Sequence, residues 1–133
     1  MISIILVTFN RAERLNGSIQ DILNQSFQAF ELIICDDAST DDTESVCRKF
    51  AAQDTRICYH RQPENVGMPH NLISGIQMSQ YPLIAILHDG DRYDTMLLEH
   101  WYHGMQTSPD IGLVFNAMGT ADADMTLTSY YME

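Results

Sequence analysis

From Ser3 to Phe9 the chain reads SIILVTF, an Ile- and Val-rich run in which apolar and polar positions do not alternate. A short run of this kind predicts a strand buried on both faces, the situation of strands in parallel sheets. Leu15, Ile19, Ile22 and Leu23 then recur at helical spacing, which predicts a helix from about Ala12 to Gln25. Glu31 to Cys35 (ELIIC) predicts a second buried strand. It is followed by the polar loop Asp36-Asp37-Ala38-Ser39-Thr40, where Ser39 or Thr40 would cap a helix over Asp41 to Gln53. Arg56 to His60 (RICYH) alternates weakly, as a strand nearer a sheet edge does. Pro63 to Gly67 is a turn signal, and Pro69 suits the first turn of a helix reaching about Gln80. Leu83 to His88 predicts another buried strand and Met96 to Gln106 a helix with Met96, Leu97, Trp101 and Met105 on one stripe. Ile111 to Met118 (IGLVFNAM) reads as the last clear strand, and Gly119 to Glu133 as a hairpin arm or a frayed end.

Strands alternating with helices predict an α/β sandwich around a mostly parallel sheet. In such sheets ligands bind beyond the carboxyl ends of the strands, where the strand order reverses. Polar residues fall at that position three times: Thr8-Phe9-Asn10, Asp36-Asp37 and Asp89-Gly90-Asp91. Parallel strands would bring all three to one edge. That convergence is the physical case for a site.

The 133 residues suit one domain with a real core, and 45% of them are hydrophobic, which excludes a disordered chain. A formal net charge of -11 argues against any electrostatic grip on nucleic acid or an anionic membrane. Cys35, Cys47 and Cys58 are odd in number and lack metal-ligand spacing. Cys35 and Cys58 lie in apolar runs, which reads as reduced core thiols in a reducing, cytoplasmic compartment. The apolar start MISIILVTFN meets Asn10-Arg11 too soon for a signal peptide, and no stretch is long enough to span a membrane.

In an extended segment Asp89 and Asp91 would face the same way, with Gly90 permitting close approach or a tight bend. Two adjacent carboxylates repel, and a hard divalent cation, Mg²⁺ or Mn²⁺, relieves the repulsion while taking its other ligands from phosphate and water. Asp37, further along the edge, can accept hydrogen bonds from a base or a ribose. Together these describe a nucleotide with a metal-bridged diphosphate. The simpler reading, that Asp and Gly merely end strands in turns, weakens once Asp37 and Thr8 share the edge. Asp36 reads as a loop or capping residue. Arg11 and Arg14 fit either diphosphate contact or an exposed helix start. His100 and His103 have a metal-compatible spacing but no nearby third ligand. The eight methionines read as core filling.

The segments VTFNRAERL, LNQSFQAFELIICDDASTDDT, ENVGMPHNLISGI and LHDGDRYD, in that order and spacing, resemble the nucleotide-binding half of family 2 glycosyltransferases of the GT-A fold over nearly the whole chain. The resemblance implies that Asp37 contacts the nucleotide base and that Thr8, Phe9 and Asn10 line the base pocket. It implies that Asp89 and Asp91 hold the ribose and the metal, with Asp91 on the metal. His70 and Asn71 stand where many relatives have an Arg that touches the nucleotide. The implied activity is transfer of a sugar from a UDP-, GDP- or TDP-sugar, with inversion, to an acceptor the sequence does not identify: a polysaccharide, a lipid-linked sugar or a protein glycan.

The family's catalytic base is an Asp downstream of this stretch, and neither Asp122 nor Asp124 is nominated for it. The expectation is therefore a donor-binding domain over residues 1–118, with 119–133 opening an acceptor-side region or fraying. Self-association through the truncated face is expected, as is cytoplasmic location with peripheral membrane attachment through regions or partners outside this stretch. Two other classes compete. One is a nucleotide-binding fragment or accessory protein without catalysis. The other is a receiver-type phosphoacceptor module, whose acidic pair would follow the first strand and whose phosphoacceptor the third, whereas here the pairs follow the second and fourth.

Overall fold

The computed structural model describes residues 1–115, 118–121 and 127–131. The backbone divides into two compact units, Met1–Leu97 and Leu98–Glu133.

In the first unit, β1 (Ile2–Thr8), β2 (Phe30–Asp36), β3 (Ile57–Arg61) and β4 (Leu83–His88) form one all-parallel sheet in the order β3-β2-β1-β4. The helices α1 (Ala12–Leu23), α2 (Thr43–Gln53) and α3 (Met68–Met78) make the crossovers. β1 is buried along its whole length and β2 at all but Glu31, as their unalternating sequences require. α1 buries Leu15, Ile19 and Ile22, and α2 buries Thr43, Cys47 and Phe50, each set at three- and four-residue spacing. On the opposite sheet face, Leu72 and Met78 of α3 pack against Ile5, Val7, Ile33 and Cys35.

Gly75 sets how closely α3 approaches the sheet. A Cβ there would stand 2.6 Å from Ile5 Cγ2 and 2.8 Å from Cys35 Sγ. Gly75→Ala is therefore expected to lower stability by about 1–3 kcal/mol, since a packed core absorbs an added methyl only by moving its neighbours. Urea denaturation measures this, and an unchanged midpoint would contradict the packing described.

Four sequence expectations are corrected. β4 is not buried on both faces: Ile84 and Ile86 are each 42% exposed, because the strand lies at an edge of the four-stranded sheet. Neither Ser39 nor Thr40 caps α2. Asp42 is its N-cap residue and makes no side-chain cap bond, while Asp41 Oδ1 accepts the Thr43 N–H. Cys58 is exposed on the edge strand β3 rather than a core thiol. Burial does hold Cys35 and Cys47 as neutral thiols, pushing each pKa up to about 12.

The fourth correction lies in the second unit. There α4 (Leu97–Gln106), whose first residue closes the first unit, precedes an irregular segment over residues 111–115, and β5 (Met118–Ala121) pairs antiparallel with β6 (Leu127–Tyr131). Among the described residues of the expected strand Ile111 to Met118, only Met118 lies in a strand. Residues 116 and 117 fall outside the described residues. The segment's apolar character serves helix packing instead: a Cβ at Gly104 would stand 3.0 Å from Val114 Cγ1, while Leu113 and Phe115 face solvent. The antiparallel β5–β6 pair matches the hairpin reading of the tail. Asp122 and Asp124, neither of them nominated as the base, lie outside the described residues.

Candidate functional site

The chain leaves β1 to one side, builds β2 and β3 outward, then returns to place β4 on the other side of β1. The strand order reverses at β1, and the crevice there is where open α/β sheets bind ligands. A cleft of about 240 Å³ lies at this point, lined among others by Thr8 and Phe9 at the end of β1, Asp37 after β2, Met68 and Asn71 from α3, and His88 and Asp89 at the end of β4. Thr8, Phe9, Asp37, Asn71 and Asp89 were expected there from sequence. Arg11, read two ways in the sequence, is also part of the wall, and Met68 and His88 were not nominated.

The loops at the strand ends brace one another. The Asn10 N–H donates to Ser39 Oγ (2.9 Å), and Asn10 Oδ1 accepts from the Thr40 N–H (2.8 Å). Asn10 (φ 52°) and Ala38 (φ 61°) both take the left-handed conformation. Asn adopts it readily, but Ala pays about 1 kcal/mol for it. Asp36 offsets that cost. Fully buried, it accepts from the Ser39 N–H (2.9 Å), the Ser39 hydroxyl and the Tyr59 hydroxyl (2.6 Å), with Arg61 Nε 3.8 Å away. Burial and the bond to Asp36 push the Tyr59 phenol pKa far up, so it stays a donor. Asp36 is thus the loop-holding residue its sequence position suggested.

Asp37 was expected in the open cleft. It lines the cleft but is only 4% exposed, and both carboxylate oxygens are engaged, Oδ1 by the Val66 N–H (2.8 Å) and Oδ2 by the Gly67 N–H (2.9 Å). Gly67 (φ 83°) is the N-cap residue of α3, so Asp37 also fixes where that helix starts. A carboxylate offers about four acceptor positions, and two remain for a ligand. Asp37→Ala is expected to cost about 1–3 kcal/mol of stability, through unpaired amides at Val66 and Gly67. Hydrogen exchange at those amides checks this, and unchanged protection would contradict it.

Asn71 is buried and spends its side chain internally, donating from Nδ2 to Cys35 O (2.7 Å) and accepting from Gln62 Nε2 (3.2 Å). It anchors α3 to β2 at the cleft floor. His70 is exposed and is not among the cleft-lining residues, because it lies on the outward side of the same helical turn.

Asp89-Gly90-Asp91 is a turn with Gly90 at φ 82°, not the extended segment expected. Thr8 Oγ1 donates to Asp89 Oδ2 (2.7 Å), which orients that carboxylate at the cleft. Asp91 is exposed, does not line the cleft, and among the described residues its carboxylate accepts no hydrogen bond. The two carboxylates are hard oxygen donors of the kind Mg²⁺ and Mn²⁺ take. Among the described residues no group of three His, Cys, Asp or Glu side chains could hold a metal ion by itself. An ion at Asp89 and Asp91 would therefore complete its shell with ligand oxygens and water, which suits a phosphate-bridging cation.

Residues 3–129 match the family Glycosyl transferase family 2. Glycosyltransferase GlyG of Streptococcus pneumoniae serotype 4 is 27% identical over 131 residues, covering 98% of this chain and 39% of that protein. A GalNAc(5)-diNAcBac-PP-undecaprenol beta-1,3-glucosyltransferase of Campylobacter jejuni is 36% identical over 91 residues, 68% of this chain and 29% of that protein. The chain thus spans well under half the length of these relatives. Among solved structures, mannosyltransferase PcManGT from Pyrobaculum calidifontis, in complex with GDP-Man and Mn²⁺, superposes with a TM-score of 0.78 at 21% identity, over 84% of this chain and 33% of that one. S. aureus TarS 1-349 in complex with UDP-GlcNAc superposes with a TM-score of 0.72 at 19% identity, over 78% of this chain and 30% of that one. These likenesses establish the GT-A fold expected from the sequence.

Proposed function

Because this chain belongs to glycosyl transferase family 2, we propose that its cleft binds a nucleotide-diphosphate sugar together with Mn²⁺ or Mg²⁺, as the donor side of an inverting sugar transfer. The observation that carries the reading is the convergence of Thr8, Phe9, Asp37 and Asp89 on one cleft at the strand-order reversal. The nucleotide sugars in the PcManGT and TarS structures support the same class of donor.

Each residue has a role its geometry suits. Asp37, with two acceptor positions free, takes N–H donors from the base. Phe9, 44% exposed, and Met68, 52% exposed, offer the base apolar surface at the cleft. Asp89, oriented by Thr8, accepts from the ribose hydroxyls. Asp91, with Asp89, would hold the cation, its carboxylate supplying the charge that a hard divalent ion takes. The bound cation supplies Lewis-acid stabilisation of the negative charge that develops on the leaving diphosphate. Arg11 adds a cationic side chain in the cleft wall. Inversion requires one in-line displacement, with a base taking the acceptor hydroxyl proton.

The acceptor we propose is a lipid-linked or cell-wall glycan. The Campylobacter relative is named for an undecaprenol-linked substrate, as is WfaP of Escherichia coli, and TarP of Staphylococcus aureus for poly(ribitol-phosphate). No described helix is long and apolar enough to cross a membrane.

Amide NMR tests the donor site. Adding UDP, GDP or TDP with Mg²⁺ is expected to shift the signals of Thr8, Asp37 and Asp89 for at least one nucleotide. Saturable shifts confined to surfaces away from the cleft would refute the assignment.

A further inference from the structure

Beside its apolar stripe, α1 carries a second set of residues at three- and four-residue spacing: Ser18, Asp21 and, just past the helix end, Gln25. Ser18 is fully buried, and its hydroxyl makes two bonds at once. It accepts from the Gly90 N–H (3.0 Å) and donates to Asp91 O (2.8 Å). The Asp21 carboxylate takes both Arg92 Nε (2.6 Å) and Arg92 Nη2 (2.8 Å), and also the Tyr93 N–H (3.0 Å). Gln25 Nε2 donates to Asp94 O (2.7 Å), and the Ser26 N–H to Thr95 O (2.7 Å). Every residue from 90 to 95 is therefore tied to α1 or its C-terminal extension. Burial works to raise the Asp21 pKa, but the bonds from Arg92 and Tyr93 outweigh it and hold the carboxyl below its usual range, so the tie is a charged one.

This strap grips Asp91 by its backbone, and among the described residues its carboxylate accepts no hydrogen bond. The left-handed turn at Gly90 presents an N–H and, one residue on, a carbonyl to a buried position. A side chain there must accept and donate together, which a hydroxyl does and a methyl cannot. From this geometry we infer that Ser18 is a positioning residue for the donor site: it fixes the Asp89–Asp91 turn so that Asp91 meets the cation and diphosphate in one preset direction. The inference rests on the donor-site reading above. Its physical basis is that a ligand group fixed before binding spares the ordering cost that a free turn would pay on binding.

The test compares wild type and Ser18→Ala by calorimetry with UDP, GDP and TDP, each with Mn²⁺ and with chelator. For the nucleotide that binds, wild type is expected to gain affinity from Mn²⁺. Ser18→Ala is expected to lose about tenfold of that gain, the loss of two hydrogen bonds at the turn, while its metal-free affinity changes less than about twofold. The Mn²⁺ paramagnetic resonance spectrum of the ternary complex is expected to broaden as the site becomes heterogeneous. A merely structural serine would lower the melting temperature without moving the metal-dependent part. If folded Ser18→Ala keeps the full Mn²⁺ gain, the positioning role is wrong and the donor reading stands. If wild type gains nothing from Mn²⁺, the donor reading fails and this inference with it. Should Ser18→Ala not fold, Arg92→Gln, altering a side chain 51% exposed, is expected to lower the gain about threefold through the neighbouring tie. An unaltered gain there would overturn the strap.

Discussion

Asp91→Asn is expected to lower nucleoside diphosphate affinity in Mn²⁺ about a hundredfold while leaving the melting temperature within a degree or two of wild type. Two features set this pairing of effects. The carboxylate is exposed and accepts no hydrogen bond among the described residues, so the fold does not depend on its charge. Under the proposed function it is a direct cation ligand, and even outer-shell substitutions at metal sites commonly cost 10–100-fold. Asn keeps the shape and one carbonyl oxygen but offers no net charge to the cation. Calorimetry with Mn²⁺ and thermal denaturation give the two numbers. A large loss of stability would mean that Asp91 serves the fold, and undiminished affinity would mean that it does not serve the metal.

Asp36→Ala is expected to do the reverse. It removes the acceptor for the Ser39 N–H, the Ser39 hydroxyl and the Tyr59 hydroxyl, and it strips Arg61 of its buried counter-charge. Unsatisfied buried donors cost about 1–3 kcal/mol each, softened where water reaches them, so a net loss of about 3–5 kcal/mol is expected. The left-handed Ala38 would lose the bonds that offset its strain. Asp36 and Asp37 are adjacent and chemically identical, yet only Asp37 lines the cleft. Urea unfolding of Asp36→Ala checks the difference, and a loss below about 1 kcal/mol would contradict the network.

What the sequence carried was whatever repeats along a strand or helix. β1 and β2 were legible because unbroken Ile and Val runs have little use outside a two-sided core. The site edge was legible because polar residues ended each of those runs. Pairing partners were not. LIAILH reads like β1, but its place at the end of the strand order exposes Ile84 and Ile86, and strand order is not a local property of six residues. IGLVF is equally apolar, and its partner is a helix reached through Gly104. Asp37 could be read as a cleft residue, but its bonds to Val66 and Gly67 join positions some thirty residues apart. Ser18 carried no signal as a serine within an amphipathic helix. The spacing of Ser18, Asp21 and Gln25 beside the apolar stripe was visible, and it gains meaning only once the 90–95 segment is seen to lie along it.

We propose that this acidic chain grips a nucleoside diphosphate through a cation held at the Asp89–Asp91 turn. Titrating UDP, GDP and TDP into the wild-type chain, first with Mn²⁺ and then with excess chelator, tests it most directly. At least one nucleotide is expected to bind with Mn²⁺ and to lose most of its affinity with chelator. Equal affinity in both conditions, or no binding of any of the three, would contradict it.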